Sequence, residues 1–274
     1  MATIEQIAND GNKVDEEIKM KEVRVLLHQS RKQLAKAIPI NSQLKVDMLI
    51  RQVVTALNED TDIVKKCETS SIIRAVMRTA HRGLELSLSQ SYLVPFYNKK
   101  LQMFECKSIL GYIGMIVLAY RAGILKSLSV NVVYEGDNYQ LIEGADKTII
   151  HVPCNPIKRL ANNPESHEKG LVGTKATPIA YYGIAHLSTG GRLQNWLWDE
   201  PDIKNKIAAS PSTKLNDAKN VISTSPSWAF NPITMAKKVV VLDTLKLLPK
   251  SSLSLLQDDI IDEVEEKVVQ GEVV

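Results

Sequence analysis

The first third of the chain carries apolar residues at the spacing of amphipathic helices. Apolar positions recur every three or four residues, with charged residues between them, over residues 15–37, 43–58 and 62–82. This periodicity predicts three helices. Gly83 follows the third stretch directly, and we expect it to end that helix in a left-handed conformation.

The period changes in the middle of the chain, where apolar and polar residues alternate in short runs. Such runs predict β-strands, and short polar turns between them predict hairpins. In chain order we expect a hairpin of strands 91–97 and 101–106, a buried helix from Ser108 to Ala122, strands within 127–152, a hairpin over 177–198 and a helix over 231–248. Without regular βα alternation, this order indicates the α+β class. We therefore expect N-terminal helices, central antiparallel β-hairpins packed on a buried helix, and a C-terminal helix.

Composition and charge exclude some classes of protein and favour others. Hydrophobic residues make up 44% of the 274 residues and charges of both signs are mixed, so a chain disordered throughout is excluded. Residues 61–250 hold 24 Lys/Arg against 15 Asp/Glu, whereas residues 251–274 hold one Lys against seven acidic residues. A basic body with an acidic tail favours nucleic acid as a partner.

The three cysteines favour a reducing compartment, since Cys67, Cys106 and Cys154 show no metal-ligand spacing and are odd in number. The N-terminus lacks the basic and apolar regions of a signal peptide. The longest apolar stretch, residues 109–119, is too short to span a bilayer. We expect a soluble cytoplasmic protein without a membrane partner.

No catalytic motif is recognisable along the chain. Glycine-rich nucleotide loops and the motifs of zinc proteases and serine hydrolases are missing. The nearest candidate metal ligands are carboxylates in turns, which we expect to face solvent: Glu135, Asp137, Glu143 and Asp146. The sequence therefore favours a binding protein that uses no ATP or other cofactor, with Mg²⁺ as a counterion only. A metal-dependent nuclease is an alternative.

Basic residues occupy positions that suit a single strand of nucleic acid. Arg74, Arg78 and Arg82 are spaced four residues apart, so we expect them to share one helix face. Further candidates lie at a hairpin tip beside Tyr97 and Phe104, around the central helix and along the last helix: Lys99, Lys100, Lys107, Arg121, Lys237, Lys238 and Lys246. Basic grooves follow phosphates and aromatic rings stack on bases, so we expect binding that does not depend on base sequence.

Four ordered segments resemble motifs of the RecT family of phage recombinases. Residues 83–96, GLELSLSQSYLVPF, are similar to that family's GLDP…GQ.YLIPF, and residues 110–123, LGYIGMIVLAYRAG, are similar to its GYKGLIELAYRSG. Residues 133–137, VYEGD, and residues 225–238, SPSWAFNPITMAKK, resemble its VYEGD and PW…MAKKT segments. Each motif alone is weak, but their order and spacing together are specific.

The resemblance implies an annealing protein related to Red beta and the Rad-type annealing proteins. Such proteins bind single-stranded DNA and the annealed duplex, and they anneal complementary strands without ATP as rings or filaments. The resemblance also implies a 5′→3′ exonuclease partner, a contact with the host single-strand-binding protein, and a location in a bacterial or phage-infected cell. A phage protein that coats DNA or serves as an adaptor without annealing is the alternative.

The resemblance also assigns roles to individual residues. Lys237 and Lys238 match the family's paired lysines, Arg121 its helix-end arginine, and Tyr112 its tyrosine in GYKG. Lys99 or Lys100 lies at the hairpin tip, where the family often has a basic residue.

Three positions depart from the family pattern. Ile113 replaces a lysine, and Leu242 and Asp243 stand where the family often has a basic pair. We therefore expect weaker DNA binding, or binding through a set that includes the three arginines at 74, 78 and 82.

The expected organisation has three parts. Residues 1–42 would form an N-terminal tail and helix that contacts other copies of the chain. Residues 43–250 would form the DNA-binding annealing core, and residues 251–274 an acidic tail.

Overall fold

The computed structural model describes residues 4–144, 147–154, 177–210, 213–215, 221–224 and 226–248. The chain forms two compact units, with the boundary between Arg121 and Ala122. Helices and antiparallel sheets make up both units, which confirms the α+β class. The predicted acidic tail lies outside the described residues, and the predicted division at residues 42 and 250 stays a prediction.

The first unit begins with helices whose apolar faces share one core. They are α1 (Ile4–Gln29), α2 (Arg31–Ala37), α3 (Val46–Glu59), α4 (Thr61–Lys66) and α5 (Thr69–Arg82). The core includes the fully buried side chains of Val23, Leu27, Leu34, Leu49, Leu57 and Ile72. These residues repeat at helical spacing, which is why the sequence predicts this region well.

Two of the predicted helices are interrupted. The helix predicted over residues 15–37 corresponds to α1 and α2, and the helix predicted over residues 62–82 corresponds to α4 and α5. The second interruption lies at the buried Cys67, which bridges to Phe104 of the following hairpin. The hydroxyl of Ser71 accepts a hydrogen bond of 3.0 Å from the backbone N–H of Cys106 and so ties the first turns of α5 to the same hairpin. Gly83 ends α5 with φ of 59°, as predicted.

An antiparallel hairpin packs on α5. Its strands are β1 (Ser91–Asn98) and β2 (Met103–Leu110), and they form a two-stranded sheet in which Pro95 lies opposite Cys106. The second strand is longer than predicted, so the helix expected from Ser108 begins later, as α6 (Tyr112–Arg121). The reason is tertiary, since Ser108 is buried and in register with Leu93 of β1.

The second unit is built on a three-stranded antiparallel sheet. The strands of this unit are β3 (Leu125–Tyr134), β4 (Asn138–Ile142), β5 (Thr148–Val152), β6 (Pro178–Leu187), β7 (Arg192–Trp198), β8 (Lys214–Leu215) and β9 (Val221–Ser223). The large sheet has the order β3-β6-β7, while β4 pairs with β5 and β8 with β9. A π-type turn over Asp199–Ile203 leads to α7 (Lys204–Ala208), and α8 (Pro226–Phe230) precedes α9 (Pro232–Lys246).

The two faces of this sheet pack against different elements. On one face Val132 and Tyr181 cluster with Ala236 and Val240 of α9. Gly183 of β6 permits this approach, because a Cβ atom there would lie 2.5 Å from the Thr244 hydroxyl. On the other face the β4–β5 ribbon covers a cluster of Val133, Ala180, Tyr182 and Trp196. Alternate residues of β6 therefore serve opposite faces, as the period of a strand requires.

Candidate nucleic-acid interface

The tip of the β1–β2 hairpin presents two of the predicted lysines. Lys99 and Lys100 lie in the turn and both are exposed. Asn98 shapes the turn, because its side-chain oxygen accepts hydrogen bonds from the backbone N–H groups of Lys100 (3.0 Å) and Leu101 (3.2 Å). The turn therefore holds two positive charges at the end of the β1–β2 ribbon.

The predicted aromatic neighbours of the tip contact each other. The rings of Tyr97 and Phe104 meet edge to face with centroids 5.1 Å apart, and the Lys66 ammonium lies 5.8 Å from the Phe104 centroid. Tyr97 is 44% exposed, whereas Phe104 is half-buried. Tyr97 therefore keeps accessible ring surface of the kind that can stack on a base.

The outward face of the hairpin combines a charge with aromatic side chains. The Lys107 ammonium lies 4.3 Å from the centroid of the Phe96 ring, which is a cation–π contact. Tyr92 lies on β1 and is 44% exposed. It was not among the predicted residues, although its alternation with the buried Leu93 gives the signal that would have found it.

The glycines of the segment that resembles GYKG allow the backbone to approach closely. A Cβ atom at Gly111 would lie 2.1 Å from the carbonyl oxygen of Ser89, and one at Gly114 would lie 2.1 Å from that of Gln90. The start of α6 is therefore pressed against the chain that leads into β1. Tyr112 is half-buried between the two glycines, as is Ile113 at the position of the family's lysine.

Arg121 caps α5 rather than extending into solvent. Its guanidinium donates to the carbonyl oxygens of Arg82 (2.6 Å) and Gly83 (2.9 Å), where unpaired carbonyls at a helix end favour a cation. Burial lowers the pKa of Arg121 below its usual value. The same side chain lines a cavity of about 420 Å³, together with Asn41, Gln43, Glu85, Gln90 and Tyr120.

The three arginines of α5 do not share one exposed face. Arg74 is 63% exposed on its side chain and pairs with Glu105 at 3.4 Å, and Arg78 is exposed. Arg82 is only 2% exposed, and its Nη1 donates to the carbonyl (3.1 Å) and hydroxyl (3.0 Å) oxygens of Ser108. The expectation of a common face is therefore wrong for Arg82, because the end of α5 lies beneath the hairpin.

The remaining predicted lysines lie on α9 in the second unit. Lys237 and Lys238 are half-buried in the first half of this helix. Lys246 is exposed at its end and lies 3.9 Å from Asp243, which also pairs with Lys206 of α7 at 3.2 Å. Asp243, one of the departures from the family pattern, therefore draws two lysines toward itself. These lysines lie in the second unit, whereas the lysines of the hairpin lie in the first.

One of the turn carboxylates is buried, contrary to the expectation that all four face solvent. Asp137 has a fully buried side chain and accepts hydrogen bonds of 2.9 Å from the backbone N–H groups of Tyr134 and Cys154. His151 lies 3.0 Å from both the Asp137 carboxylate and the Tyr182 hydroxyl. Burial raises the pKa of Asp137, but these hydrogen bonds outweigh it and hold the pKa well below its usual range. Asp137 therefore holds a turn together.

Neither a metal centre nor a spanning helix is found in the described part of the chain. Within it, no group of three or more His, Cys, Asp or Glu side chains could hold a metal ion; Asp146, the fourth turn carboxylate, lies outside it. Over the same residues, no helix combines the length and apolar character needed to cross a bilayer.

Similarity to known proteins covers residues of both units. The RecT family model matches residues 47–270. The chain is also 28% identical over 276 residues to the protein RecT of Escherichia coli strain K12, an alignment that covers 96% of this chain and 91% of that protein. The matched region contains every predicted DNA-binding residue named above.

Proposed function

Because the chain belongs to the RecT family, we propose that it binds single-stranded DNA and anneals complementary strands during homologous recombination. The family membership supports a protein of phage recombination and annealing. The observation that carries the finer proposal is the length of the match, which runs from residue 47 to residue 270 and takes in both units. The basic hairpin and the α9 lysines therefore both lie within the part of the chain that the family model matches.

The proposed mechanism is electrostatic neutralisation followed by base pairing. Two strands repel each other through their phosphates, and lysines that pair with phosphates remove this repulsion. Lys99 and Lys100 at the hairpin tip and Lys237 and Lys238 on α9 are the lysines we assign to phosphates. Exposed tyrosines of the hairpin offer ring faces on which bases of any sequence can stack. Watson–Crick pairing then supplies both the selectivity and the driving force, so the proposed reaction uses no ATP and no other cofactor, with Mg²⁺ as a counterion only.

The proposed activity requires partners. Annealing on long strands calls for several copies of the chain, so we propose a homo-oligomer on DNA that holds both the single strand and the annealed duplex. A 5′→3′ exonuclease would supply the single strand, and the host single-strand-binding protein would compete for it or deliver it. These steps place the protein in the cytoplasm of a bacterial or phage-infected cell.

The proposal is tested by annealing two complementary fluorescent oligonucleotides without nucleotide, at low and moderate salt. We expect the wild-type chain to accelerate annealing and the Lys237→Ala/Lys238→Ala variant to lose most of the acceleration. The matched control is Lys126→Ala/Lys214→Ala, which removes the same charge from exposed positions of β3 and β8 that have no assigned role. This control should keep the wild-type rate.

Three other outcomes would contradict the proposal. DNA binding without faster annealing would favour the alternative, a protein that coats DNA or serves as an adaptor. Cleavage of the oligonucleotides in the presence of Mg²⁺ would favour a nuclease. Equal losses in the α9 variant and the control would show that net charge, rather than the α9 lysines, governs the activity.

A further inference from the structure

The cavity beside Arg121 lies where three segments of the first unit meet. It is lined by residues of the loop 41–44 before α3, of the segment 83–90 after α5, and of the end of α6. The carbonyl oxygen of Gly83 joins these segments, because it accepts hydrogen bonds from the Ser42 hydroxyl (2.8 Å) and from the Arg121 guanidinium (2.9 Å). Its volume of about 420 Å³ falls within the roughly 300–1,000 Å³ of small-ligand sites.

The cavity is lined by one carboxylate and one guanidinium that do not pair with each other. Glu85 is half-buried and forms no ion pair with a described residue. Its Oε2 accepts hydrogen bonds from the Gln52 amide (3.0 Å) and the Ser87 hydroxyl (2.8 Å), whereas its Oε1 accepts none from the described residues. The carboxylate disfavours an anion such as phosphate, and the guanidinium of Arg121 disfavours a cation. The cavity therefore suits an uncharged ligand with a hydrogen-bond donor.

Gln90 places a hydrogen-bond donor next to this free acceptor. Its Oε1 accepts a hydrogen bond of 3.2 Å from the backbone N–H of Glu85, which fixes the orientation of the amide. Its Nε2 donates to none of the described residues. Tyr120 also lines the cavity and is 44% exposed, so its ring is accessible for stacking. A flat ring with a donor and an acceptor side by side on its edge matches this arrangement.

We propose that the cavity binds one unpaired nucleobase of single-stranded DNA and favours bases that carry an amino group. The inference deepens the proposed function and rests on it. The amino group of cytosine or adenine donates to Glu85 Oε1, and the neighbouring ring nitrogen accepts from Gln90 Nε2. Thymine and uracil have a carbonyl oxygen in place of the amino group, and this oxygen would meet the carboxylate without a proton between them.

The cavity distinguishes single strands from duplex. The edge that faces Glu85 and Gln90 is the edge used in Watson–Crick pairing, so a paired base has no free edge to offer. Each copy of the chain would hold one base of a single strand and release it when the complement pairs. Phosphate contacts carry no sequence information, so the cavity adds a preference that the lysines do not supply.

The test compares the binding of short deoxycytidine and deoxyuridine oligonucleotides to the full chain by fluorescence anisotropy, at slightly alkaline pH. The two bases have the same size and differ only at the edge in question. We expect the wild type to bind the deoxycytidine strand about fivefold more tightly, the factor given by one net hydrogen bond. Glu85→Gln should lose this preference, because an amide serves either edge. Glu59→Gln, which removes the same charge from the exposed end of α3, should keep it.

A second variant tests the cavity without changing any charge. Gln43 is exposed at its rim, and Gln43→Trp would fill the space with a large side chain. This variant should also lose the preference for deoxycytidine. Equal affinities of the wild type for the two oligonucleotides would overturn the proposal, and so would a preference that both Glu85→Gln and Gln43→Trp retain.

The outcomes separate the cavity from the proposed function. A wild type that accelerates annealing but does not discriminate between the two bases overturns the cavity proposal and leaves the proposed function standing. If the wild type binds neither oligonucleotide, the proposed function fails, and the free nucleosides decide about the cavity. Nuclear magnetic resonance must then show tighter binding of deoxycytidine than of deoxyuridine, and Gln43→Trp must abolish the difference. Nucleosides that bind equally would overturn the proposal.

Discussion

Replacing Arg82 should destabilise the first unit without removing a DNA contact. The guanidinium is 2% exposed and donates two hydrogen bonds to Ser108, whose hydroxyl also lies 2.7 Å from that of Thr79 and 3.2 Å from that of Ser91. This network joins α5 to both strands of the hairpin. Charge-assisted hydrogen bonds contribute about 1.5–3 kcal/mol each. Because Thr79 and Ser91 would still satisfy the Ser108 hydroxyl, we expect Arg82→Ala to cost about 3 kcal/mol.

The measurement is urea unfolding followed by circular dichroism. With a slope of about 3 kcal/mol per molar urea, the expected loss lowers the midpoint by about 1 M. Arg78→Ala is the matched control, since Arg78 lies one turn earlier on α5 and is exposed. Its midpoint should move by less than about 0.2 M, as exposed substitutions usually cost under 0.5 kcal/mol. Equal midpoints for the two variants would refute the reasoning. So would weaker oligonucleotide binding by Arg82→Ala with an unchanged midpoint.

Three further predictions follow from other contacts. Asp137→Asn should lower stability by about 2–4 kcal/mol at pH 7. The pKa of Asp137 is lower in the folded than in the unfolded chain, so its contribution to the free energy of unfolding is full above about pH 5 and is lost as the pH falls. Tryptophan fluorescence in acid should therefore show the stabilities of the wild type and Asp137→Asn converging. Gly111→Ala should cost more than about 2 kcal/mol in urea unfolding, whereas Gly123→Ala, which meets no neighbouring atom but has φ of 69°, should cost about 1 kcal/mol. Replacing Lys237 and Lys238 by Ala should reduce the slope of log affinity against log salt by about 1.4, and an unchanged slope would remove both from the DNA contact.

The tryptophan signal proposed for Asp137→Asn has a structural basis. The three tryptophans of the chain, Trp196, Trp198 and Trp228, all lie in the second unit, which also contains Asp137. Fluorescence therefore reports on the unit in which the carboxylate is buried.

The parts of the fold that the sequence predicts are those in which local pattern and tertiary packing agree. The end of α5 at Gly83 and the two hairpins follow from turn residues and from alternation. The sequence does not reveal the interruption at Cys67, because the apolar period continues across it and no Gly or Pro marks it. The sequence predicts Ser108 within a helix, because its pairing with β1 depends on residues that are distant in the sequence.

The sequence is equally limited in predicting which charged side chains of the candidate site are exposed. Spacing places Arg74, Arg78 and Arg82 along one side of a helix, but it does not reveal that the helix end is covered. Likewise, the sequence shows where Arg121 is, yet the carbonyls of Arg82 and Gly83 that hold it are 39 and 38 residues away in the chain. Lys246 differs, because its partner Asp243 is three residues earlier on the same helix. Whether a cation is available to DNA is a tertiary property.

The proline in the middle of β1 limits how this protein can assemble. Pro95 lies opposite Cys106, and the backbone N–H of Cys106 points away from β1 toward Ser71. Pro95 and Cys106 are therefore not a hydrogen-bonded pair of the ladder, and the proline nitrogen faces the outer edge of the ribbon. An incoming strand would find no donor there. Main-chain addition of one hairpin to the next is thereby disfavoured at the same ribbon that presents lysines and tyrosines. In the proposed oligomer on DNA, neighbouring copies would thus stay close without fusing into a continuous β-sheet.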